Sequence, residues 1–135
     1  MRLIGFVITG HGPFASGIME SVQFIAGKVE QISVVPFQED QEKLYKDLKQ
    51  AISEVDTGSG TVCFADLAGG TPFNVCSRIA LTRKNVRVIG GTNSPMLLSG
   101  LFQRELELDQ FVDLVLSEGK ESIKTFQIKD REKKE

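Results

Sequence analysis

Short apolar, β-rich stretches recur along this chain, and stretches with helical spacing separate them; that rhythm is what most constrains its fold. The β-type stretches fall at about 2–8, 31–37, 61–66, 86–91 and 122–128. Between them, Ile18, Met19, Val22, Ile25 and Ala26 fit one face of a helix, and Leu44, Leu48, Ile52 and Val55 fit another. Val75, Cys76, Ile79 and Ala80 give a third face, and Met96, Leu97 and Leu101 a fourth. Phe111, Val112, Val115 and Leu116 supply a fifth, which the residue types start at Asp109 and stop at Gly119. Strands alternating with helices of this length imply parallel βαβ units with right-handed crossovers. The first four strands are nearly all apolar, as strands covered on both faces are. The expected fold is therefore α/β: a doubly wound open sheet of order 2-1-3-4 with helices on both faces.

The segment Ser122-Ile123-Lys124-Thr125-Phe126-Gln127-Ile128 breaks the pattern by alternating polar with apolar residues. Two helical segments precede it, so it is expected to return antiparallel at an edge of the sheet with one face wet. Residues 129–135 are all charged and are read as a frayed tail, which leaves one domain over 1–128. At 135 residues the chain suits one domain better than two. A net charge of −2, without basic clusters, argues against nucleic-acid partners. No apolar run approaches the ~18 residues of a membrane span, and the first strand lacks the flanks of a signal peptide. Cys63 and Cys76 lack metal-ligand spacing and read as buried thiols in a reducing cytoplasm, with neither metal nor cofactor expected.

In doubly wound sheets, ligands bind beyond the carboxyl ends of the strands, where the strand order reverses. For order 2-1-3-4 that point lies between strands 1 and 3. Strand 1 runs out into Thr9-Gly10-His11-Gly12-Pro13-Phe14, which holds the only histidine of the chain. An imidazole can take up and release a phosphoryl group or a proton near neutral pH. Strand 3 runs out into Asp66-Leu67-Ala68-Gly69-Gly70-Thr71-Pro72-Phe73-Asn74. Neighbouring strands lie about 4.8 Å apart, which places the Asp66 carboxylate within reach of His11. A carboxylate that accepts a hydrogen bond from one ring nitrogen fixes the tautomer and leaves the other nitrogen nucleophilic. Gly69 and Gly70 let the backbone turn and present its N–H groups. Thr71-Pro72 reads as an N-cap followed by proline at the first helical position, and Ser94-Pro95, after Gly90-Gly91-Thr92-Asn93, repeats that signature. Two helix N-termini near one histidine would favour an anion. Gly12, Phe14, Asn93 and Ser94 form the expected periphery, with Pro13 and Phe14 as candidate docking residues.

These residues resemble the mannose-type enzyme IIA domain of the bacterial phosphoenolpyruvate-dependent sugar phosphotransferase system. Three blocks carry the resemblance: Val7 to Gly12 with Phe14-Ala15; Asp66 to Asn74; and Gly90 to Leu98. The Asp-x-x-Gly-Gly-[Ser/Thr]-Pro-Phe-Asn block is the specific one. The resemblance implies a cytoplasmic phosphocarrier, peripheral at the inner membrane through its partners. In it His11 is phosphorylated on Nε2 by the phosphocarrier HPr, Asp66 holds Nδ1, and Thr71 supplies a phosphate-binding hydroxyl. It further implies transfer to an enzyme IIB, here expected on a separate chain because the sequence ends in a charged tail. The membrane IIC and IID components then act indirectly. A homodimer exchanging its last strand is implied as well. Two alternatives stay open: a phosphorylation-dependent regulatory module of the same fold, and the phosphocarrier subunit of a dihydroxyacetone kinase. The Gly-Gly-Thr-Pro-Phe-Asn run argues against the latter, in which a Met/Gly/Ser-type loop is expected.

Overall fold

A computed structural model describes residues 2–129. Four parallel strands, β1 (Gly5–His11), β2 (Ile32–Phe37), β3 (Thr61–Ala65) and β4 (Val86–Ile89), form one sheet of order β2-β1-β3-β4. The helices are α1 (Phe14–Ala26), α2 (Gln41–Val55), α3 (Thr71–Ala80), α4 (Ser94–Leu101) and α5 (Leu108–Glu121). Side chains alternate along β1, so successive residues feed two different cores. Phe6 and Ile8 point to one face and are covered by Ala15, Met19 and Val22 of α1, Met96 and Leu97 of α4, and Phe111 and Val115 of α5. Val7 points to the other and meets Leu44, Leu48 and Ile52 of α2 and Val75, Cys76 and Ile79 of α3. Both central strands are buried from end to end except at His11, which explains their unbroken apolar runs. Cys63 and Cys76 are free and buried in the α2/α3 core. A hydrogen bond between the two thiols, then burial, pushes the Cys63 thiol well above its ordinary pKa.

Several expectations need correction. Residues 123–129 form no strand, and Ile123, Phe126 and Ile128 are exposed. A strand needs a partner for its backbone groups, and within one chain this segment finds none. The charged tail beyond Lys129 lies outside the described residues. Strand 1 is placed later than its composition implied and continues to His11, because Thr9, Gly10 and His11 pair with Val35, Pro36 and Phe37. Ile25 faces solvent beside Phe24, so the last turn of α1 is not buried. Helix α5 is capped by Glu107, whose carboxylate accepts from the Gln110 N–H at 3.1 Å, and Asp109 sits inside the first turn. Gly119 does not stop that helix. It is buried within it, and a Cβ there would stand 2.7 Å from Met96 Cε, so its role is to let α4 and α5 approach closely.

Candidate functional site

The register puts Thr9 of β1 level with Ala65, the last residue of β3, so β1 runs two residues further. Gly10 and His11 therefore lie beside the chain leaving β3, and Asp66 turns back onto them. Its Oδ2 accepts from the His11 backbone N–H at 2.8 Å and lies 2.8 Å from His11 Nδ1. Its Oδ1 accepts from the Leu67 N–H at 2.8 Å. The imidazole is 45% exposed while the carboxylate is 10% exposed, so the acceptor is sheltered and the ring is approachable. Burial alone would raise the Asp66 pKa. The bonds from the His11 N–H, the His11 ring and the Leu67 N–H outweigh it and hold the carboxyl below its ordinary value. An ionised carboxylate only accepts hydrogen bonds, so the neutral ring carries its proton on Nδ1 and offers a lone pair at Nε2.

The remaining walls come from neighbouring strand ends. Phe37, at the end of β2, meets the imidazole edge-on with centroids 5.8 Å apart. The Gly12 N–H donates to the Phe37 carbonyl at 2.8 Å, and Gly12 turns the chain into α1 with φ of +53°. A Cβ on Gly70 would stand 3.1 Å from His11 Cε1, the carbon bonded to both ring nitrogens, so the start of α3 packs directly on the ring. A Cβ on Gly10 would stand 2.6 Å from Phe14 Cδ2 and 3.0 Å from the Asp66 carboxyl. The bare backbone at Gly10 is what lets Asp66 sit beside the histidine.

The helix starts differ from their sequence signatures. Gly70, extended with ψ of 169°, is the N-cap of α3, which makes Thr71 its first residue and Pro72 its second. Asn93 is the N-cap of α4, and its Oδ1 accepts from the Met96 N–H at 3.0 Å. Its Nδ2 donates to the Gly119 carbonyl at 3.1 Å. Asn93 is thus committed to joining α4 with α5, and Ser94 is simply the first residue of α4; no hydrogen bond joins either to the His11–Asp66 pair. Thr71, half-buried, lines a shallow hollow of about 180 Å³ with Gln41, Asn74, Val75 and Arg78. Phe14 is half-buried over Gly10, and Pro13 is exposed.

Capping separates the five helices into two groups. Asp40, Asn93 and Glu107 cap α2, α4 and α5 with side-chain hydrogen bonds. The two helices that begin around His11, α1 and α3, have no side-chain cap and no acidic residue in the first turn. Uncapped first-turn N–H groups and the positive end of the helix dipole favour an anion there. Among the described residues, no group of three His, Cys, Asp or Glu side chains could hold a metal ion. The sequence reading placed His11, Asp66, Gly69, Gly70 and Thr71 on adjoining loops, and His11, Asp66 and Gly70 are in contact here. It did not single out Gly10 or Phe37, because which residues flank the imidazole depends on register.

A parallel doubly wound sheet with an approachable histidine held by a sheltered aspartate at its switch point is the class of protein that fold and site define. Residues 5–116 match the family described as "PTS system fructose IIA component". The chain is 31% identical over 134 residues to the PTS system mannose-specific EIIAB component of Escherichia coli K12, an alignment covering 96% of this chain and 42% of that protein. It is 29% identical over 105 residues to the PTS system fructose-specific EIIA component of Bacillus subtilis 168, covering 76% of this chain and 72% of that one. Among solved structures it superposes on phosphotransferase system component EIIA from Streptococcus agalactiae with TM-score 0.84 and 28% identity, over 92% and 98% of the two chains. The mannose/sorbose specific IIA subunit from Enterococcus faecalis gives TM-score 0.80 and 26% identity, over 96% and 98%. The chain belongs to this mannose/fructose-type enzyme IIA family of the phosphotransferase system. It spans 42% of the length of the mannose-specific EIIAB relatives.

Proposed function

We propose that the chain is a phosphocarrier of a sugar phosphotransferase system, accepting a phosphoryl group from the phosphohistidine of HPr on His11 and passing it to an enzyme IIB. The observation that carries this reading is the 2.8 Å contact between Asp66 Oδ2 and His11 Nδ1 on a ring that is 45% exposed. In the forward step the Nε2 lone pair attacks phosphorus in line. The phosphorus–nitrogen bond to the donor imidazole breaks, and that nitrogen keeps the electron pair. The positive charge that develops on the His11 ring is met by Asp66. The phosphoryl oxygens face the free N–H groups at the starts of α1 and α3 and the Thr71 hydroxyl. Transfer between two imidazoles needs positioning and charge stabilisation more than covalent machinery, which suits an open site reached by another protein. Pro13, Phe14 and the exposed Leu67 flank the imidazole and belong to the docking surface.

Residues 1–128 act as one enzyme IIA domain, with the charged residues 129–135 as an appendage. Two copies form a homodimer in which residues 122–128 of each chain pair with the sheet of the other. The exposed Ile123, Phe126 and Ile128 support it, together with an outer edge of β4 that pairs with no strand among the described residues. The protein acts in the cytoplasm and meets the membrane IIC and IID components through IIB. No described helix is long and apolar enough to cross a membrane.

The test is reconstitution. Incubated with phosphoenolpyruvate, enzyme I and HPr, the protein should acquire an acid-labile, alkali-stable phosphate, and His11→Ala should acquire none. Equal labelling of His11→Ala would overturn the reading.

A further inference from the structure

The run Gly90-Gly91-Thr92, just before the α4 cap Asn93, lies one strand away from the histidine, and the phosphoryl chemistry does not use it. Its hydrogen bonds converge on the backbone of Asp66. The Thr92 Oγ1 donates to the Ala65 carbonyl at 2.7 Å, and the Thr92 N–H donates to the same carbonyl at 3.2 Å. The Gly91 N–H donates to the Asp66 carbonyl at 3.1 Å. These two carbonyls belong to the peptide planes on either side of the Asp66 Cα. Fixing both planes fixes Asp66 φ and ψ and so the direction in which its side chain leaves the backbone. Thr92 is 7% exposed, so its short bond is sheltered from competing water. The close approach depends on Gly90, where a Cβ would stand 2.6 to 2.8 Å from the Ala68 Cα, N and Cβ atoms.

We propose that Thr92 is a positioning residue for the His11–Asp66 pair: its buried hydroxyl, clamped on the Ala65 carbonyl, holds Asp66 where its Oδ2 meets His11 Nδ1. The proposal rests on the phosphocarrier reading for its consequence, but its geometry is measurable without any phosphoryl donor. Asp66 depends on this brace because β3 ends at Ala65, so the sheet itself no longer holds the residue. The loop after β4 substitutes for the missing strand pairing. The effect travels through Asp66 alone, since Thr92 makes no hydrogen bond to the imidazole.

His11 is the only histidine, so the ¹⁵N signals of its ring can be read without overlap in the full-length, unphosphorylated protein. Wild type should show Nδ1 protonated and Nε2 bare in the neutral ring. Thr92→Val removes the hydroxyl and keeps the shape and the backbone N–H. It should move the ring to a mixture of tautomers and slow phosphoryl acceptance from HPr by roughly tenfold or more, the scale of loss from a small misplacement at a reacting centre. Thr92→Ser restores the hydroxyl and should restore both readouts, which a mere loss of fold stability would not require. Thr92→Ala serves the same purpose as Thr92→Val if the valine variant does not fold. A folded Thr92→Val or Thr92→Ala with the wild-type tautomer and rate overturns the proposal, as does Thr92→Ser behaving like Thr92→Val. If wild type accepts no phosphoryl group, the phosphocarrier reading fails, and the tautomer measurement still decides the role of Thr92.

Discussion

At position 66 one carboxylate accepts from the His11 N–H, the His11 ring and the Leu67 N–H, which ties its ionisation to the stability of the loop around it. Its pKa in the folded protein lies below the roughly 3.9 of an unfolded aspartate. The stabilisation is therefore fully present above that unfolded value and is lost as pH falls through the lower folded value. Chemical unfolding of wild type and Asp66→Asn should show the wild type more stable at about pH 5–6, with the gap closing as pH falls below the range of an unfolded aspartate. Asp66→Asn should also slow phosphoryl acceptance by roughly 10–100-fold, because an amide no longer enforces Nδ1–H and no longer offsets the charge on the ring. Unchanged kinetics would remove Asp66 from the mechanism. Gly10→Ala places a methyl against Phe14 and the Asp66 carboxyl. Phe14 stands at the start of a helix and can turn aside, but Asp66 is held by its three bonds. We expect a cost of about 1–3 kcal/mol in unfolding free energy and a loss of transfer rate. Wild-type values on both measurements would contradict the close packing.

At the scale of elements, the alternation of strands and helices was legible in the sequence because both periods were clean, and it placed Asp66 beside His11. Helix ends were less legible. Thr71-Pro72 and Ser94-Pro95 look like a cap followed by proline, yet Gly70 and Asn93 carry the extended backbone that defines the cap. A hydroxyl residue before proline suits either the cap or the first helical position, and only backbone angles separate the two. Gly119 misled for another reason: glycine stops helices, and it also fills positions where Met96 leaves no room for a Cβ. The uncapped starts of α1 and α3 follow from the same chemistry that caps the other three helices, and they mark where an anion is expected. The structure assigns Asn93 to architecture. Asn93→Ala should cost about 1–2 kcal/mol in a thermal or urea unfolding experiment, while phosphoryl acceptance by the folded variant changes less than twofold. A large loss of rate without a loss of stability would instead return Asn93 to the site.

At the scale of the whole molecule, residues 122–128 have the composition of a strand, yet they form none in the single chain. The alternation of Ile123, Phe126 and Ile128 with polar neighbours was readable, but the strand's partner is not in the sequence, so its pairing was not. The exposed apolar residues of this segment then argue for a second copy. Light scattering should give a dimer for the full chain and a monomer or insoluble protein after truncation at Ser122, just beyond the end of α5. A stable truncated dimer would contradict strand exchange. The same scale shows why the site is open: His11 stands at the end of the central strand β1, where a partner protein can reach it without any lid moving.

The position of the phosphoryl group itself separates one ring nitrogen from the other. Phosphorylated from phospho-HPr and kept at alkaline pH, the protein labelled with ¹⁵N-histidine can be read by ³¹P and ¹⁵N NMR. The predicted result is a single phosphoryl group, on His11 Nε2. A phosphoryl group on Nδ1, or on any residue other than His11, would contradict it.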